Sequence, residues 1–154
     1  MVNPDIIIYT DGSSRGNPGP GGYGIVMLKT GTDYKKEFSA GFKKTTNNRM
    51  ELLAVIIALE KVKKDNQKIH IYTDSKYVSE SVEKKWVFNW QKKAFKNRKN
   101  ADLWVRFLKI YNKHAIKFFW VKGHNNNHLN ERCDYLAFEA SKNINPSIDV
   151  EYEK

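Results

Sequence analysis

Two short apolar runs are the most regular feature of the hydrophobic pattern along this chain. Residues 6–9 (IIIY) and 69–72 (IHIY) have the length and β-branched composition of strands that are buried on both faces. Each run is followed by Thr-Asp, which places Asp11 and Asp74 at the two strand ends. If these strands are neighbours, two carboxylates meet at one edge of the sheet. Such a pair is costly unless a positive charge lies between them, and a divalent metal ion is the simplest candidate.

The rest of the pattern predicts strands and helices in alternation around these two runs. Strand-like stretches at 23–28 and 34–42 flank a predicted hairpin turn, and with the first run they form an antiparallel meander. The glycine- and proline-rich stretch 11–22 is predicted to be a loop. Because a helix precedes the second Tyr-Thr-Asp strand, that strand should run parallel to the first. Helices are predicted to open within 45–51, at 75, at 101 and at 130, and a last strand covers 115–121.

Two further acids fall on predicted helix faces that are otherwise apolar. Glu51 shares a line with Val55 and Ala58, so a carboxylate heads the stripe that faces the core. Compensation of the helix dipole is the alternative explanation, and it suits an exposed acid better than one that points inward. Asp134 shares a helix side with Ala137. Together with the two strand-end acids, these residues form a set of oxygen donors that suits Mg²⁺ or Mn²⁺ rather than zinc.

The chain carries an excess of positive charge, with 27 Lys and Arg against 17 Asp and Glu, for a net charge of +10. Residues 84–99, the basic segment, hold seven cations, four large aromatics and no acid. Such interleaving favours contact with a nucleic-acid strand, in which cations meet phosphates and aromatic faces meet sugars or bases. The alternative is a helix with core aromatics and solvated lysines, which the spacing of Trp86 and Trp90 also fits.

Length and composition predict one domain spanning residues 1–154, with an acidic tail at 146–154 that is expected to fray. No apolar stretch approaches the roughly 20 residues that a membrane span needs, and no secretory leader is visible. The single cysteine, Cys133, fits a reducing compartment. We therefore expect a cytoplasmic monomer with no membrane contact and no evident protein partner.

Six motifs in a fixed order add a more specific signal. They are YTDGS at 9–13, GNPGPGG at 16–22, TTNNRMEL at 45–52, YTDS at 72–75, VKGH at 121–124 and NERCD at 130–134. Together they resemble type 1 ribonuclease H of the bacterial kind, over nearly the whole chain. The resemblance implies an α/β ribonuclease H-like fold, in which helices flank a five-stranded mixed β-sheet and the basic segment forms a handle helix. It also implies cleavage of the RNA strand of RNA–DNA hybrids, which leaves 5′-phosphate and 3′-hydroxyl ends.

The resemblance also assigns roles to individual residues. The carboxylates that bind two Mg²⁺ ions, with Mn²⁺ as a possible substitute, fall on Asp11, Glu51, Asp74 and Asp134, and the mobile catalytic histidine falls on His124. The backbone of the glycine loop and three asparagines would read RNA 2′-hydroxyls, whereas other side chains would contact the DNA strand. The substrate-binding residues implied in this way are Gly12, Ser13, Asn17, Lys44, Thr46, Asn47, Asn48, Lys76, Trp86, Asn89 and Trp90.

Three features of the sequence depart from the family pattern. Lys44 occupies a position where an arginine commonly helps to bind the DNA phosphate. Lysine keeps the positive charge, but it lacks the two-pronged guanidinium that can bind a phosphate through two hydrogen bonds. Phe95 replaces a tryptophan in a basic segment that is shorter than in long-handled relatives. The stretch 125–127 is all asparagine and lacks the glycine that often follows the catalytic histidine. These departures bear on hybrid affinity and on loop mobility, and none involves the carboxylates.

Two other functions are open at this point. A nucleic-acid binder without catalytic activity would keep the sheet and the basic segment, but it would gain nothing from four acids that face phosphates. A transposase-like or Holliday-junction nuclease would share carboxylates on the sheet. Such an enzyme would lack the Gly-Asn-Pro-Gly and Asn-Asn elements at 16–19 and 47–48, which fit the reading of 2′-hydroxyls.

Overall fold

A five-stranded mixed sheet forms the centre of the computed structural model, which describes residues 3–122, 127–143 and 145–153. The strand order is β3-β2-β1-β4-β5, which confirms the mixed sheet that the resemblance implies. The strands are β1 (Ile6–Ser14), β2 (Gly19–Lys29), β3 (Lys35–Thr45), β4 (Lys68–Thr73) and β5 (Ala115–Trp120). β1, β2 and β3 form the antiparallel meander, whereas β4 runs parallel to both β1 and β5.

The two Tyr-Thr-Asp strands are neighbours, and they run parallel to each other as predicted. Tyr9 pairs with Tyr72 and Thr10 with Thr73, so Asp11 and Asp74, which follow the two threonines, lie at the same level along the neighbouring strands. The isoleucines of both strands on one face are fully or almost fully buried, which anchors this register through burial of apolar surface. On the other face, the two tyrosine rings stack with their centroids 4.8 Å apart.

Helices cover both faces of the sheet. They are α1 (Asn47–Glu60), α2 (Lys76–Glu83), α3 (Trp86–Lys92), α4 (Ala101–Tyr111), α5 (His128–Ser141) and α6 (Val150–Glu153). α1 packs on β1 and β2 with α4 against it, and the core there includes the fully buried Trp104 and Phe107. α5 packs on the opposite face, against β1, β2 and β3. In the described part of the chain, no helix has the length and apolar character that crossing a bilayer would require.

A glycine at the centre of β2 sets how closely α5 approaches the sheet. Gly24 pairs with Asp11 in the β1–β2 register. A Cβ atom at Gly24 would lie 2.3 Å from the carbonyl oxygen of Cys133, so no side chain fits between the strand and the helix. Gly24 therefore allows α5 to lie directly over the strand pair that carries Asp11, and Asp134 follows Cys133 on that helix.

Two elements differ from the sequence predictions. The stretch 11–22, predicted as a loop, is mostly strand, because β1 continues to Ser14 and β2 already begins at Gly19. Pairing with a partner strand and cover by α5 outweigh the low strand propensity of glycine there. In the basic segment, α3 has only seven residues, and Ala94, Phe95 and Asn97 adopt positive φ angles that end helical structure.

The tail that was expected to fray is instead held against the meander. The backbone of Ser147 accepts a hydrogen bond from Lys43 and donates one to Gly41, both at 2.8 Å. Asp149 is only 8% exposed, and it accepts hydrogen bonds from Thr45 Oγ1 at 2.7 Å and from the guanidinium of Arg49 at 2.8 and 3.0 Å. A buried cation supplies a partner that the local sequence of the tail does not reveal.

Arg49 links this tail to the body of the domain. Its guanidinium, which is buried, also makes a bidentate pair with Asp102 of α4, at 2.7 and 2.9 Å. The Arg49 guanidinium holds the pKa of Asp102 below its usual range, and the two carboxylates raise the pKa of Arg49 against the opposing effect of burial. Arg49 lies two residues before Glu51, so the network fixes the start of the helix that carries a candidate ligand.

We expect Asp149→Asn to lower the free energy of unfolding by about 2–3 kcal/mol, because it leaves a buried guanidinium with one carboxylate partner instead of two. Urea denaturation followed by circular dichroism measures this change. Asp33→Asn, in an exposed turn, is the matched control and should stay within about 0.5 kcal/mol of the wild type. Equal stability of the two variants would show that the contact between Asp149 and Arg49 does not stabilise the fold.

Candidate active site

Three carboxylates converge beside the central strands β1 and β4, at the level where β4 ends. Asp11 lies within β1, Glu51 within α1, and Asp74 one residue beyond β4. Three carboxylate oxygens, one from each residue, all lie within 4.8 Å of one another. Asp134 of α5 approaches from the opposite face, close enough to Asp11 to raise the pKa of that carboxyl. We refer to these four residues as the acid cluster.

Gly12 joins two members of the acid cluster. Its backbone N–H donates to Asp11 Oδ1 at 2.9 Å and to Glu51 Oε1 at 2.7 Å. A Cβ atom at this position would lie 2.2 Å from the carbonyl carbon of Met50 and 2.3 Å from the backbone nitrogen of Glu51. Only glycine therefore allows α1 to approach β1 closely enough to share this donor. The strand and the helix are fixed to each other at the point where their acids meet.

Ionisation of the acid cluster is energetically unfavourable in the folded protein. Burial is the main cause that raises the pKa of Asp11 to about 8, and the neighbouring charges of Asp74 and Asp134 raise it further. Burial also raises the pKa of Glu51 well above its ordinary value, with the charges of Asp11 and Asp74 as the next causes. α1 begins at Asn47 with no acid in its first turn, so compensation of the helix dipole does not explain Glu51.

The donor set fits a hard divalent cation. Asp74 Oδ1 is buried and accepts no hydrogen bond from any residue that the structure describes. A buried carboxylate oxygen without a donor is costly, and a metal ion would satisfy it while it neutralised the crowded acids. The donors brought together are all carboxylate oxygens, which is the ligand type that Mg²⁺ and Mn²⁺ prefer.

A group of predicted substrate-binding residues lies at the start of α1, next to the acid cluster. Thr46 caps the helix and accepts a hydrogen bond from the backbone of Arg49 at 3.2 Å. Asn17 Oδ1 accepts a hydrogen bond from the backbone N–H of Asn47 at 3.1 Å, which ties the loop after β1 to the helix. Asn17, Thr46 and Asn48 also line a cavity of about 580 Å³. Of the remaining predicted residues on this side, Ser13 is half-buried and Lys44 is exposed.

The aromatic residues of the basic segment divide between surface and core. Trp86 is 42% exposed, and Asn89 beside it on α3 is exposed. Trp90 is half-buried and packs edge-on against Trp104, with ring centroids 5.9 Å apart. The Arg98 guanidinium lies 4.7 Å from the centroid of the Trp90 ring. All seven cations of the segment are exposed, so they form a basic surface.

The sequence did not single out Trp120, which contacts the site directly. Its indole N–H donates to the backbone carbonyl of Asp74 at 2.9 Å, and the Lys76 ammonium lies 4.6 Å from the centroid of its ring. Its position near the end of the predicted last strand, directly before the VKGH motif, was the one feature of the sequence that could have pointed to it. The predicted histidine, His124, lies outside the described residues, as do Asn125 and Asn126.

Comparisons with known proteins agree on one family. The family model for RNase H matches residues 3–142. The ribonuclease H of Desulforamulus reducens is 51% identical over 151 residues, which cover 95% of this chain and 93% of the relative. The crystal structure of LC9-RNase H1, a type 1 RNase H with the type 2 active-site motif, has a TM-score of 0.79 and 29% identity, over 92% of this chain and 74% of that one. LC11-RNase H1, solved in complex with an RNA/DNA hybrid, has a TM-score of 0.66 and 28% identity, over 96% of this chain and 99% of that one.

We expect Asp11→Asn to stabilise the metal-free protein. Because folding raises the pKa of Asp11 from 3.8 to about 8, its ionisation opposes folding increasingly as the pH rises through that interval. Asparagine removes the charge. With chelator present, thermal unfolding at pH 8 should show a gain of about 2 kcal/mol or more, and the gain should shrink as the pH falls towards 4. A loss of stability at pH 8, with Asp33→Asn unchanged, would contradict the cost of ionising Asp11 in its buried, acidic surroundings.

Proposed function

The chain belongs to the ribonuclease H family of endonucleases, which act on the RNA strand of RNA–DNA hybrids, and we propose that it does so by a two-metal-ion mechanism. The observation that carries the proposal is the convergence of Asp11, Glu51 and Asp74, where one buried oxygen of Asp74 has no hydrogen-bond donor among the described residues. Such a cluster would be a liability for a protein that only binds phosphates. It becomes useful when cations lie between the protein and the scissile phosphate.

The four acids would hold two Mg²⁺ ions, with Mn²⁺ as a possible substitute. When bound, the ions would supply an activated water and would stabilise the charge on the leaving oxygen, consistent with 5′-phosphate and 3′-hydroxyl products. The contribution of the chain is to fix the ligands before the metal arrives. Gly12 donates to both Asp11 and Glu51, and the rigid pairing of β1 with β4 keeps Asp11 and Asp74 together.

His124 would move protons in this reaction. An imidazole can take up and release a proton near neutral pH, which suits it to protonate a leaving group or to help product depart. Its assignment rests on the VKGH motif at 121–124, since this residue lies outside the described residues.

Recognition of the RNA strand would fall to the loop after β1 and the start of α1. Asn17, Asn47 and Asn48 lie in the loop after β1 and in the first turn of the helix that carries Glu51, and amides can both donate to and accept from a 2′-hydroxyl. The hydrogen bond between Asn17 and Asn47 supports this assignment because it holds the two segments as one surface. The backbone of Gly12 and Ser13 would complete the contact. Duplex DNA has no 2′-hydroxyl to offer these groups.

Recognition of the DNA strand would fall to Lys44 and Thr46, just before α1, and to residues of α2 and α3. Thr46, Asn89 and Lys44 would contact phosphate, Trp86 would line the groove, and Lys76 would add a cation close to Asp74. The exposure of Trp86 and of the seven cations supports this role. Trp90, also predicted to bind substrate, packs against Trp104, so its support of α3 would be part of its contribution.

A cleavage experiment with labelled substrates tests the proposal. We expect cutting of the RNA strand in an RNA–DNA hybrid, abolished by chelator, with no cutting of duplex DNA or single strands. Asp11→Asn removes one ligand and should lower turnover more than about 100-fold while the protein remains folded. Extension of the cleaved RNA by a polymerase would verify the 3′-hydroxyl end. Persistent cleavage by Asp11→Asn, a preference for duplex DNA, or tight hybrid binding without turnover would each reject the proposal.

The basic segment allows a separate test of binding. We expect the double substitution Lys92→Ala and Lys93→Ala to raise KM for the hybrid severalfold with little change in kcat, because it removes cations that would pair with phosphates and leaves the acid cluster intact. A plot of log affinity against log salt should become shallower by about 0.9 for each phosphate that the variant no longer neutralises. Lys63→Ala, an exposed lysine beyond the end of α1, is the control. An unchanged KM and salt slope would place the hybrid elsewhere.

A further inference from the structure

Asp74 is the member of the acid cluster that lies outside regular secondary structure. Asp11 is part of β1, Glu51 of α1 and Asp134 of α5, so hydrogen bonds of the strand or helix fix each of those backbones. Asp74 lies in the short connection between β4, which ends at Thr73, and α2, which begins at Lys76. A ligand in such a connection needs an additional contact to hold it within the small tolerance that a metal site requires.

The neighbours of Asp74 are well fixed, but they do not hold Asp74 itself. Thr73 accepts a hydrogen bond from the backbone of Val121 at 2.9 Å, the last link between β4 and the segment after β5. The backbone N–H of Ser75 donates to Thr73 Oγ1 at 3.0 Å, and Ser75 caps α2. Within the described ranges, the hydrogen bond to the backbone of Asp74 comes from a side chain, the indole of Trp120, at 2.9 Å.

The same indole also contacts Lys76. The Lys76 ammonium lies 4.6 Å from the centroid of the Trp120 ring, a distance at which a cation is attracted to an aromatic face. Trp120 is 45% exposed, whereas Trp104 in the core is fully buried. Burial of apolar surface therefore explains only part of the presence of a tryptophan here. Its two polar contacts, both to residues at the site, account for the rest.

We infer that Trp120 is a positioning residue that holds Asp74 in place for metal binding and Lys76 in place for contact with the nucleic acid. This inference rests on the proposed function. Trp120 is the last residue of β5 and pairs with Thr73, so the sheet fixes its backbone. The indole N–H then restrains the backbone of Asp74, which lies beyond the end of β4. Without this contact, only the residues on either side would hold Asp74 in position. Its two contacts link a metal ligand and a cation through one side chain.

Two substitutions separate the two contacts. Trp120→Phe keeps an aromatic face for Lys76 and removes the N–H donor, whereas Trp120→Leu removes both. Replacement of Trp120 by benzothienylalanine keeps the size and shape of the indole and removes only the N–H, so it guards against a packing defect in Trp120→Phe. Tyr34→Leu is the control, because it removes an aromatic ring beside Lys29 (4.5 Å) at the opposite end of the sheet.

The first measurement is metal binding without nucleic acid, by isothermal titration calorimetry with Mg²⁺ and with Mn²⁺. We expect Trp120→Phe and the benzothienylalanine variant to bind metal about three- to tenfold more weakly than the wild type, the range expected for removal of one hydrogen bond. Tyr34→Leu should bind as the wild type does.

The second measurement separates kcat from KM in hybrid cleavage. For Trp120→Phe, we expect a lower kcat at limiting Mg²⁺ that excess Mg²⁺ restores, with KM for the hybrid unchanged. Trp120→Leu should show the same metal dependence and an additional rise in KM, and Lys76→Met should raise KM without a change in metal affinity. These patterns would assign the N–H to Asp74 and the ring face to Lys76.

Two other outcomes would overturn the inference. Wild-type metal affinity in both N–H-deleted variants would show that the hydrogen bond to Asp74 does not position it. A rise in KM for Trp120→Leu that is absent for Lys76→Met would show that the ring stacks on the nucleic acid itself. Failure of the proposed function would appear differently, as hybrid cleavage by Asp11→Asn, and the calorimetric result would not depend on it.

Discussion

Mutual repulsion among four carboxylates is the constraint on which the rest of this structure depends. Side chains that repel one another stay together only if the backbones that carry them cannot move apart. The pairing of β1 with β4 supplies the first restraint, and the shared N–H of Gly12 supplies the second. Burial first, and the neighbouring charges second, raise the pKa values of Asp11 and Glu51, which shows that this arrangement is costly in the absence of a cation.

The surrounding elements approach the sheet unusually closely where the acids lie. α1 reaches β1 at a glycine, and α5 reaches β2 at another, so the strand carrying Asp11 is enclosed on both faces by helix backbone. The Arg49 network adds a restraint from the far end of the sequence, because Asp149 and Asp102 hold the start of α1 from two sides. Packing and ion pairing thus act on the same few backbone segments.

Much of the fold and of the site could be predicted from the sequence, because those features have local signals. β-branched runs predicted β1 and β4, and the connecting helix predicted their parallel pairing. Two of the features that were missed depend on distant partners. The order of the tail requires an arginine 100 residues away, and the contact of Trp120 with Asp74 spans 46 residues. The early end of α3 depends on non-glycine residues with positive φ, for which residue type gives little warning.

Strand register has a consequence that extends beyond folding. Successive side chains of a strand point to opposite faces, so a slip of one residue between β1 and its neighbours would turn Asp11 away from Asp74. The same slip would move the Gly12 N–H out of reach of Glu51 and would place a side chain where α1 requires none. A misaligned sheet would therefore lack a competent centre altogether. Catalytic activity would therefore report whether the sheet has assembled in the correct register.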